Sequence, residues 1–168
     1  MDVFNEQIVK RKNTMKDNLI RGLLVFVVIL VFIISMLFLG GFAIVVTAAA
    51  GFGAYYIMSM LKIEYEYVFT NGELDIDVIY NQQRRKRLYS GHVNDFEIMA
   101  HTEDTMHAGA FGGAMETRDY SSGVTNENTY AALTNYKGKR IKLILEPNEK
   151  MLKAIGGVLT RRRLHIKQ

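Results

Sequence analysis

The amino-acid sequence predicts an α+β membrane protein, in which an N-terminal transmembrane helical hairpin precedes an antiparallel β domain that ends in one helix. Three features predict this class: a run of forty uncharged residues, a series of period-2 segments after it, and one amphipathic segment near the C-terminus. Cysteine is absent from the 168 residues, which excludes disulfides, thiolate catalysis and Cys-based zinc sites.

The uncharged run, Gly22–Leu61, predicts two membrane-crossing helices. A hydrocarbon core of about 30 Å requires about 20 apolar residues in a helix. The Gly40-Gly41 pair divides the run into Gly22–Leu39 and Phe42–Leu61, which are each just long enough to cross. The first segment is longer than the apolar region of a secretory signal and has no small-residue cleavage site at its end.

Charges at the two ends of the run predict its orientation. Lys and Arg near span ends stay on the cytoplasmic side, and here they lie before the first span and after the second, whereas the Gly40-Gly41 turn carries no charge. We therefore expect a two-pass protein of the cell (inner) membrane with both termini in the cytoplasm. Residues 1–21 would form an N-terminal cytoplasmic segment, and residues 62–168 the folded cytoplasmic domain.

The second span contains a stripe of small residues, Ala43, Thr47 and Gly51, spaced four apart. Small residues at this spacing allow close approach of membrane helices. The stripe predicts helix packing, either within the hairpin or between copies in a homo-oligomer. Neither span contains an ionisable residue, and because intramembrane transport usually requires such residues, transport by this chain alone is not expected.

Alternating apolar residues after the second span predict a meander of antiparallel strands. Ile63–Phe69 and Leu74–Tyr80 flank Asn71-Gly72, which is typical of a tight hairpin turn. The acidic residues between the apolar ones are expected on a solvated sheet face. Further strands are predicted at Arg84–Tyr89, Asp95–Ala100, Thr117–Ser122, Thr129–Tyr136 and Arg140–Leu145, and the Gly-rich His101–Glu116 segment is predicted to be a long loop.

The C-terminal region predicts a helix packed on the sheet. Pro147 and Glu149 suit a first helical turn, and apolar residues recur at helical spacing up to Leu159. A basic tail follows, from Arg161 to Lys167.

The order of these elements resembles a known family. A transmembrane hairpin, an aromatic strand that continues through a turn (Tyr67–Leu74), a basic strand, a strand with Phe96-Glu97-Ile98 and one final helix are similar to membrane-anchored bacterial pleckstrin-homology-like (PH-like) proteins. The chain resembles more narrowly an uncharacterised family of small two-pass proteins from clostridial Firmicutes. The resemblance implies a curved antiparallel sheet closed by the last helix. It implies no catalytic residues.

Candidate sites for enzyme chemistry are weak in this sequence. His101, Glu103, Asp104 and His107 are the nearest approach to a metal-binding set, but they follow no ligand spacing pattern, and a solvated loop is the simpler interpretation. No metal and no cofactor are therefore predicted. The net charge of +4 is spread over both segments outside the membrane, which disfavours nucleic acid as a partner.

Two basic clusters are the remaining candidates for binding. Each Lys or Arg near an anionic lipid surface contributes about 1 kcal/mol to membrane binding. One cluster follows the second span by about twenty residues, and the other lies near the C-terminus. The members are Arg84, Arg85, Lys86 and Arg87, and Arg161, Arg162 and Arg163. The sequence thus favours a non-enzymatic scaffold that binds anionic lipid headgroups or a partner protein beside the lipid bilayer. The alternative is a small membrane enzyme with a metal in the His101–His107 loop.

Overall fold

A computed structural model describes residues 3–114, 116–159 and 164–165 of the chain. Two α-helices lie near the N-terminus, a third lies near the C-terminus, and the remaining elements are mainly strands. The helices are α1 (Met15–Leu39), α2 (Ala43–Met60) and α3 (Glu149–Val158). The strands are β1 (Phe4–Lys10), β2 (Ile63–Thr70), β3 (Glu73–Tyr80), β4 (Arg84–His92), β5 (Phe96–His101), β6 (Glu116–Asp119), β7 (Tyr130–Tyr136), β8 (Lys139–Leu145) and β9 (Leu164–His165).

The chain divides into two compact units. One consists of Met1–Lys12, Glu64–Ile79 and Arg84–Gln168, and the other of Asn13–Ile63 with Tyr80–Gln83. The first unit holds the strands and α3, and the second holds α1 and α2.

The helical unit is a hairpin. A capping box in which Thr14 and Asp17 bond to each other's backbone amides starts α1. The helix ends at Gly40, where a positive φ of 52° interrupts the helical backbone conformation. A 3₁₀ turn (Gly40–Phe42) then leads into α2. The two helices pack against each other, which confirms the predicted break at the glycine pair. The helical stretch Met15–Met60 is long and apolar enough to cross a membrane by length and composition.

The strands form two sheets in the orders β1-β2-β3-β4 and β6-β8-β7-β5-β9. Sheet pairing is antiparallel for β5 with β7 and β7 with β8, as the sequence predicts, and also for β1 with β2. Two pairings are parallel instead, β6 with β8 and β5 with β9. The predicted strand at Thr117–Ser122 is shorter and begins earlier in the structure, as β6.

Strand β1 was not predicted, because its polar and apolar side chains are not arranged as expected for a strand with one face on a core. The side chains on the core side of β1 are Asn5, Gln7 and Val9, two of them polar, whereas Phe4 and Ile8 point outward and are 62% and 50% exposed. Residues Phe4–Lys10 therefore form part of the folded domain.

The core lies between the two sheets and α3. An asparagine N-cap, Asn148, accepts from the Met151 amide and starts α3, whose buried side chains close the core. The helix confirms the element predicted from Pro147 to Leu159. The largest fully buried side chains are Tyr67, Tyr89, Phe69, Phe96, Leu74, Ile76, Met99, Leu133, Ile141, Leu143, Leu145 and Met151.

Candidate functional site

The basic strand β4 carries two arginines that bind carboxylates of the neighbouring strands. Arg85 Nη2 lies 2.7 Å from Glu66 Oε1. Arg87 Nη1 lies 2.7 Å from Asp75 Oδ2, and its Nε contacts Asp77 Oδ1. Both arginines are therefore held over the outward face of the four-stranded sheet, and about half of each side chain stays exposed to solvent.

The carboxylates beneath these arginines are buried. Glu66 is 2% exposed and Asp77 is 5% exposed. Burial raises the pKa of Glu66, Arg85 opposes that rise, and the nearby Glu6 and Asp77 carboxylates add to it. Glu66 Oε2 meets no hydrogen-bond donor in the described part of the chain, since its neighbour Glu6 is itself a carboxylate. The local charge of this network is therefore negative despite the arginines.

Arg84 and Lys86 alternate with the paired arginines and are exposed. Within residues 3–114, 116–159 and 164–165, neither forms an ion pair or a side-chain hydrogen bond. Arg84 and Lys86 thus have no carboxylate partner among the described residues, whereas Arg85 and Arg87 are paired and about half exposed.

The turn before Arg84 is bound to the end of the helical hairpin. Asn81 and Gln82 both have positive φ, 48° and 57°, which is the signature of a type I′ hairpin turn. The amide of Gln83 donates to the Tyr80 carbonyl (3.1 Å), and the amide of Asn81 donates to the Lys62 carbonyl (2.9 Å). Lys62 lies two residues after the end of α2, and this hydrogen bond is internal to the helical unit.

The domain architecture agrees with a comparison against protein families. A family model described as a bacterial PH-like domain (DUF6106) matches residues 1–164. The chain belongs to this family of bacterial PH-like domains. Searches of curated proteins and of solved structures found no match. The match begins at the first residue, which agrees with the place of β1 in the PH-like sheet.

In this PH-like domain, the two histidines of the His101–His107 loop bond to other groups of the protein. His101 is 2% exposed, its Nδ1 accepts from the Glu103 amide (3.2 Å), and its Nε2 lies 3.2 Å from the Asn126 carbonyl. Both ring nitrogens of His101 are therefore engaged by the protein's own backbone. His107 Nδ1 contacts Asp104 Oδ2 at 2.7 Å, and its ring stacks on His165. Among the residues that the structure describes, no group of three or more His, Asp or Glu side chains could hold a metal.

The other predicted site residues are placed as follows. Arg161, Arg162 and Arg163 lie outside the described residues. On α2, Ala43 is fully buried, whereas Thr47 and Gly51 are partly buried. A Cβ added at Gly51 would meet nothing within 4 Å, so this glycine is not at a close helix contact in the hairpin.

The arginine–carboxylate network was missed in the sequence. Acidic residues at alternate positions of β2 and β3 predict a solvated face, and this expectation is wrong for Glu66 and Asp77, which are buried beneath the arginines. The missed signal is that Arg85 and Arg87 are spaced two residues apart, like the acidic residues of β2 and β3. Side chains with this spacing share one face of a sheet, so the arginines and carboxylates of neighbouring strands can form ion pairs there.

Proposed function

We propose that this chain is a membrane-anchored, non-enzymatic scaffold whose PH-like domain contacts anionic lipid headgroups, and through them or beside them a partner protein, at the bilayer surface. The observation that carries the proposal is that Arg84 and Lys86 of β4 are exposed and form no ion pair among the described residues, and that β4 follows an apolar helix in the chain with only the β2–β3 hairpin between them. Cations held near an anionic surface contribute about 1 kcal/mol each.

Membrane insertion of the hairpin is supported by the exposure of its side chains. Only 6% of the most apolar window of the Met15–Met60 stretch is buried, unlike the core helix of a soluble protein. Exposed apolar residues at this density are stable in a hydrocarbon environment rather than in water. Tyr55 and Tyr56, near the end of α2, are exposed and suit the interfacial aromatic belt.

A two-pass topology is supported by strand pairing. Lys10, at the end of β1, pairs with Glu64, near the start of β2. The segment between them therefore leaves one strand and returns to its neighbour, as two antiparallel crossings require. The Lys and Arg residues that flank the segment favour a cytoplasmic domain.

The rival proposal of a membrane enzyme with a metal in the His101–His107 loop has no support in the described residues, since both ring nitrogens of His101 are already bonded. The scaffold proposal needs no such site.

Headgroup contact is tested with the full chain in lipid nanodiscs. The chain has no cysteine, so Gln83→Cys offers a single thiol for an environment-sensitive dye beside Arg84. We expect a blue shift of the dye when zwitterionic discs are replaced by discs with anionic lipid. Because exposed charges are screened within about 10 Å at 0.1 M salt, the shift should shrink as salt is added.

The matched variants carry the same change of charge at different places. Arg84→Glu with Lys86→Glu should abolish the anionic-lipid shift, whereas Lys150→Glu with Lys153→Glu, on the exposed face of α3, should leave it intact. A dye spectrum that is equal in neutral and anionic discs at low salt would overturn the headgroup contact.

A further inference from the structure

Among the described strands, β1 lies at the edge of its sheet and pairs only with β2. The Asn71 amide donates to the Val3 carbonyl (3.0 Å), so in the β1–β2 register every second residue from Val3 bonds to β2. The intervening residues, including Ile8 and Lys10, point their N–H and C=O groups away from β2. In the described part of the chain these edge groups of Ile8 and Lys10 meet no hydrogen-bond partner.

A cleft of about 310 Å³ runs along this edge. Residues 7–10 and Lys12 form one wall, and the opposite wall is formed by Ser122, Asn128 and the Glu146–Asn148 segment between β8 and α3. The volume is at the lower limit of ligand pockets, so the cleft suits a segment of a few residues.

Hydrogen bonds hold the two walls at a fixed separation. The side-chain amide of Gln7 donates to the Glu146 carbonyl (2.8 Å) and accepts from the Asn148 amide (2.8 Å). Beyond the end of β1, the Lys12 amide donates to the Ser122 carbonyl (2.8 Å). The cleft is therefore preformed, which lowers the entropy cost of binding.

The charge available in the cleft is positive. The Glu146 carboxylate accepts from the Ser122 amide (2.8 Å) and from the Asn126 side-chain amide, so both of its oxygens are used inside the protein. Lys12 is exposed, and the Lys10 side chain is 75% exposed with only a loose contact of 3.7 Å to Glu64. Two lysines thus face an occupant without a competing free acid in the lining.

We propose that this cleft binds a short extended peptide with acidic side chains, which pairs with the free edge of β1 as an added strand and places its carboxylates near Lys10 and Lys12. Main-chain bonds to an open edge give affinity in such binding, and side-chain contacts give specificity. A whole second sheet would not fit, because the wall at Glu146–Asn148 stands opposite the edge. The proposal goes beyond headgroup contact and does not depend on Arg84 or Lys86.

The probe is a soluble library of random hexapeptides, incubated with the full chain in zwitterionic nanodiscs and read by mass spectrometry against empty discs. We expect enrichment of peptides rich in Asp and Glu. The best peptide is then resynthesised with N-methyl groups on alternate residues, so that one edge of its backbone has no N–H groups to donate. Its affinity should fall about tenfold.

Two matched variants locate the site. Asn128→Trp should obstruct the cleft and lower the affinity for the enriched peptide about tenfold, whereas Glu127→Trp, exposed and outside the lining, should not. Lys10→Gln with Lys12→Gln should lower the affinity for acidic peptides by a similar factor. Glutamine is chosen because it places no additional acid beside Glu64. The absence of enrichment over empty discs, or enrichment that survives Asn128→Trp, would overturn the proposal.

Discussion

The carboxylate of Glu66 is held in an environment that favours its neutral form. One oxygen accepts from Arg85, but the other has no donor among the described residues, and burial raises its pKa. A group with a raised pKa in the folded state binds its proton more tightly there than in the unfolded chain. The free energy of unfolding therefore falls as pH rises from the unfolded pKa of Glu66 through its folded pKa.

We predict that Glu66→Gln raises the free energy of unfolding by about 1 kcal/mol at pH 8, because a neutral amide removes the cost of a buried acceptor without a donor. Gln can still accept from Arg85 and can donate toward Glu6. Near pH 4 the gain should vanish, since the native carboxyl is then protonated. Thermal unfolding of the full chain in detergent, followed by near-UV circular dichroism between pH 4 and pH 8, measures both effects.

Glu73→Gln, on an exposed position of β3, is the control for removal of an acidic residue. It should change the midpoint little at any of these pH values. A Glu66→Gln variant that is less stable than the native chain at pH 8 would mean that the Arg85 ion pair outweighs the cost of burial.

At the scale of the elements, the turn between β2 and β3 is closely constrained at Gly72. Gly72 has a φ of 97°, and its carbonyl accepts from the Val93 amide at 2.8 Å. A Cβ at this position would lie 2.6 Å from Nε2 of His92 and 3.3 Å from Cγ1 of Val158. The glycine is thus required both by the backbone conformation and by the close approach of neighbouring side chains.

We predict that Gly72→Ala lowers the free energy of unfolding by about 2–3 kcal/mol, the sum of an incompatible φ and a steric clash. Gly138→Ala is the matched control, because Gly138 also has a positive φ (77°) but a Cβ there would meet nothing within 4 Å. It should cost about 1 kcal/mol. Unfolding midpoints of both variants test the difference.

His92→Ala in the Gly72→Ala background separates the two causes. If the steric part is correct, removal of the imidazole should restore part of the lost stability. Equal losses for the two glycine variants would show that backbone strain alone accounts for the effect.

At the scale of the molecule, local signals in the sequence predicted local structure. The helix break at Gly40, the β2–β3 turn at Asn71-Gly72 and the apolar stripe of α3 depend on neighbours along the chain, and each is present. Strand β1 was hidden because its core side carries Asn5 and Gln7, and the Gln7 side chain finds its partners only at Glu146 and Asn148, which are distant in sequence. The parallel pairing of β6 with β8 is likewise set by contacts distant in sequence.

For the candidate site, too, the sequence predicts the local features, and features that depend on strand pairing are found only in the structure. Basic residues in β4 are visible in the sequence, but the pairing of Arg85 and Arg87 with carboxylates is decided by strand register. Only the structure shows that, among the residues it describes, Arg84 and Lys86 are the members without an ion-pair partner, and that the turn before them is bonded to Lys62.

The last prediction concerns the topology of the whole chain in a membrane. A two-pass hairpin with a cytoplasmic PH-like domain places Gly41 outside and Glu127, in an exposed loop of the domain, inside. Because the chain has no native cysteine, Gly41→Cys and Glu127→Cys each provide one thiol, and a Cβ at Gly41 meets nothing within 4 Å. A membrane-impermeant maleimide should label Gly41→Cys in intact cells and Glu127→Cys only after permeabilisation.

The reverse labelling pattern would place the domain outside the cell, against the distribution of Lys and Arg around the spans. Equal labelling of both thiols in intact cells would contradict any crossing, and the apolar hairpin would then have to be covered by protein. Labelling of neither thiol before permeabilisation, with both labelled after it, would indicate a hairpin that enters the bilayer without reaching the outer surface. The charge-free turn at Gly40–Phe42 favours full crossing, because no ionic group has to be moved through the hydrocarbon.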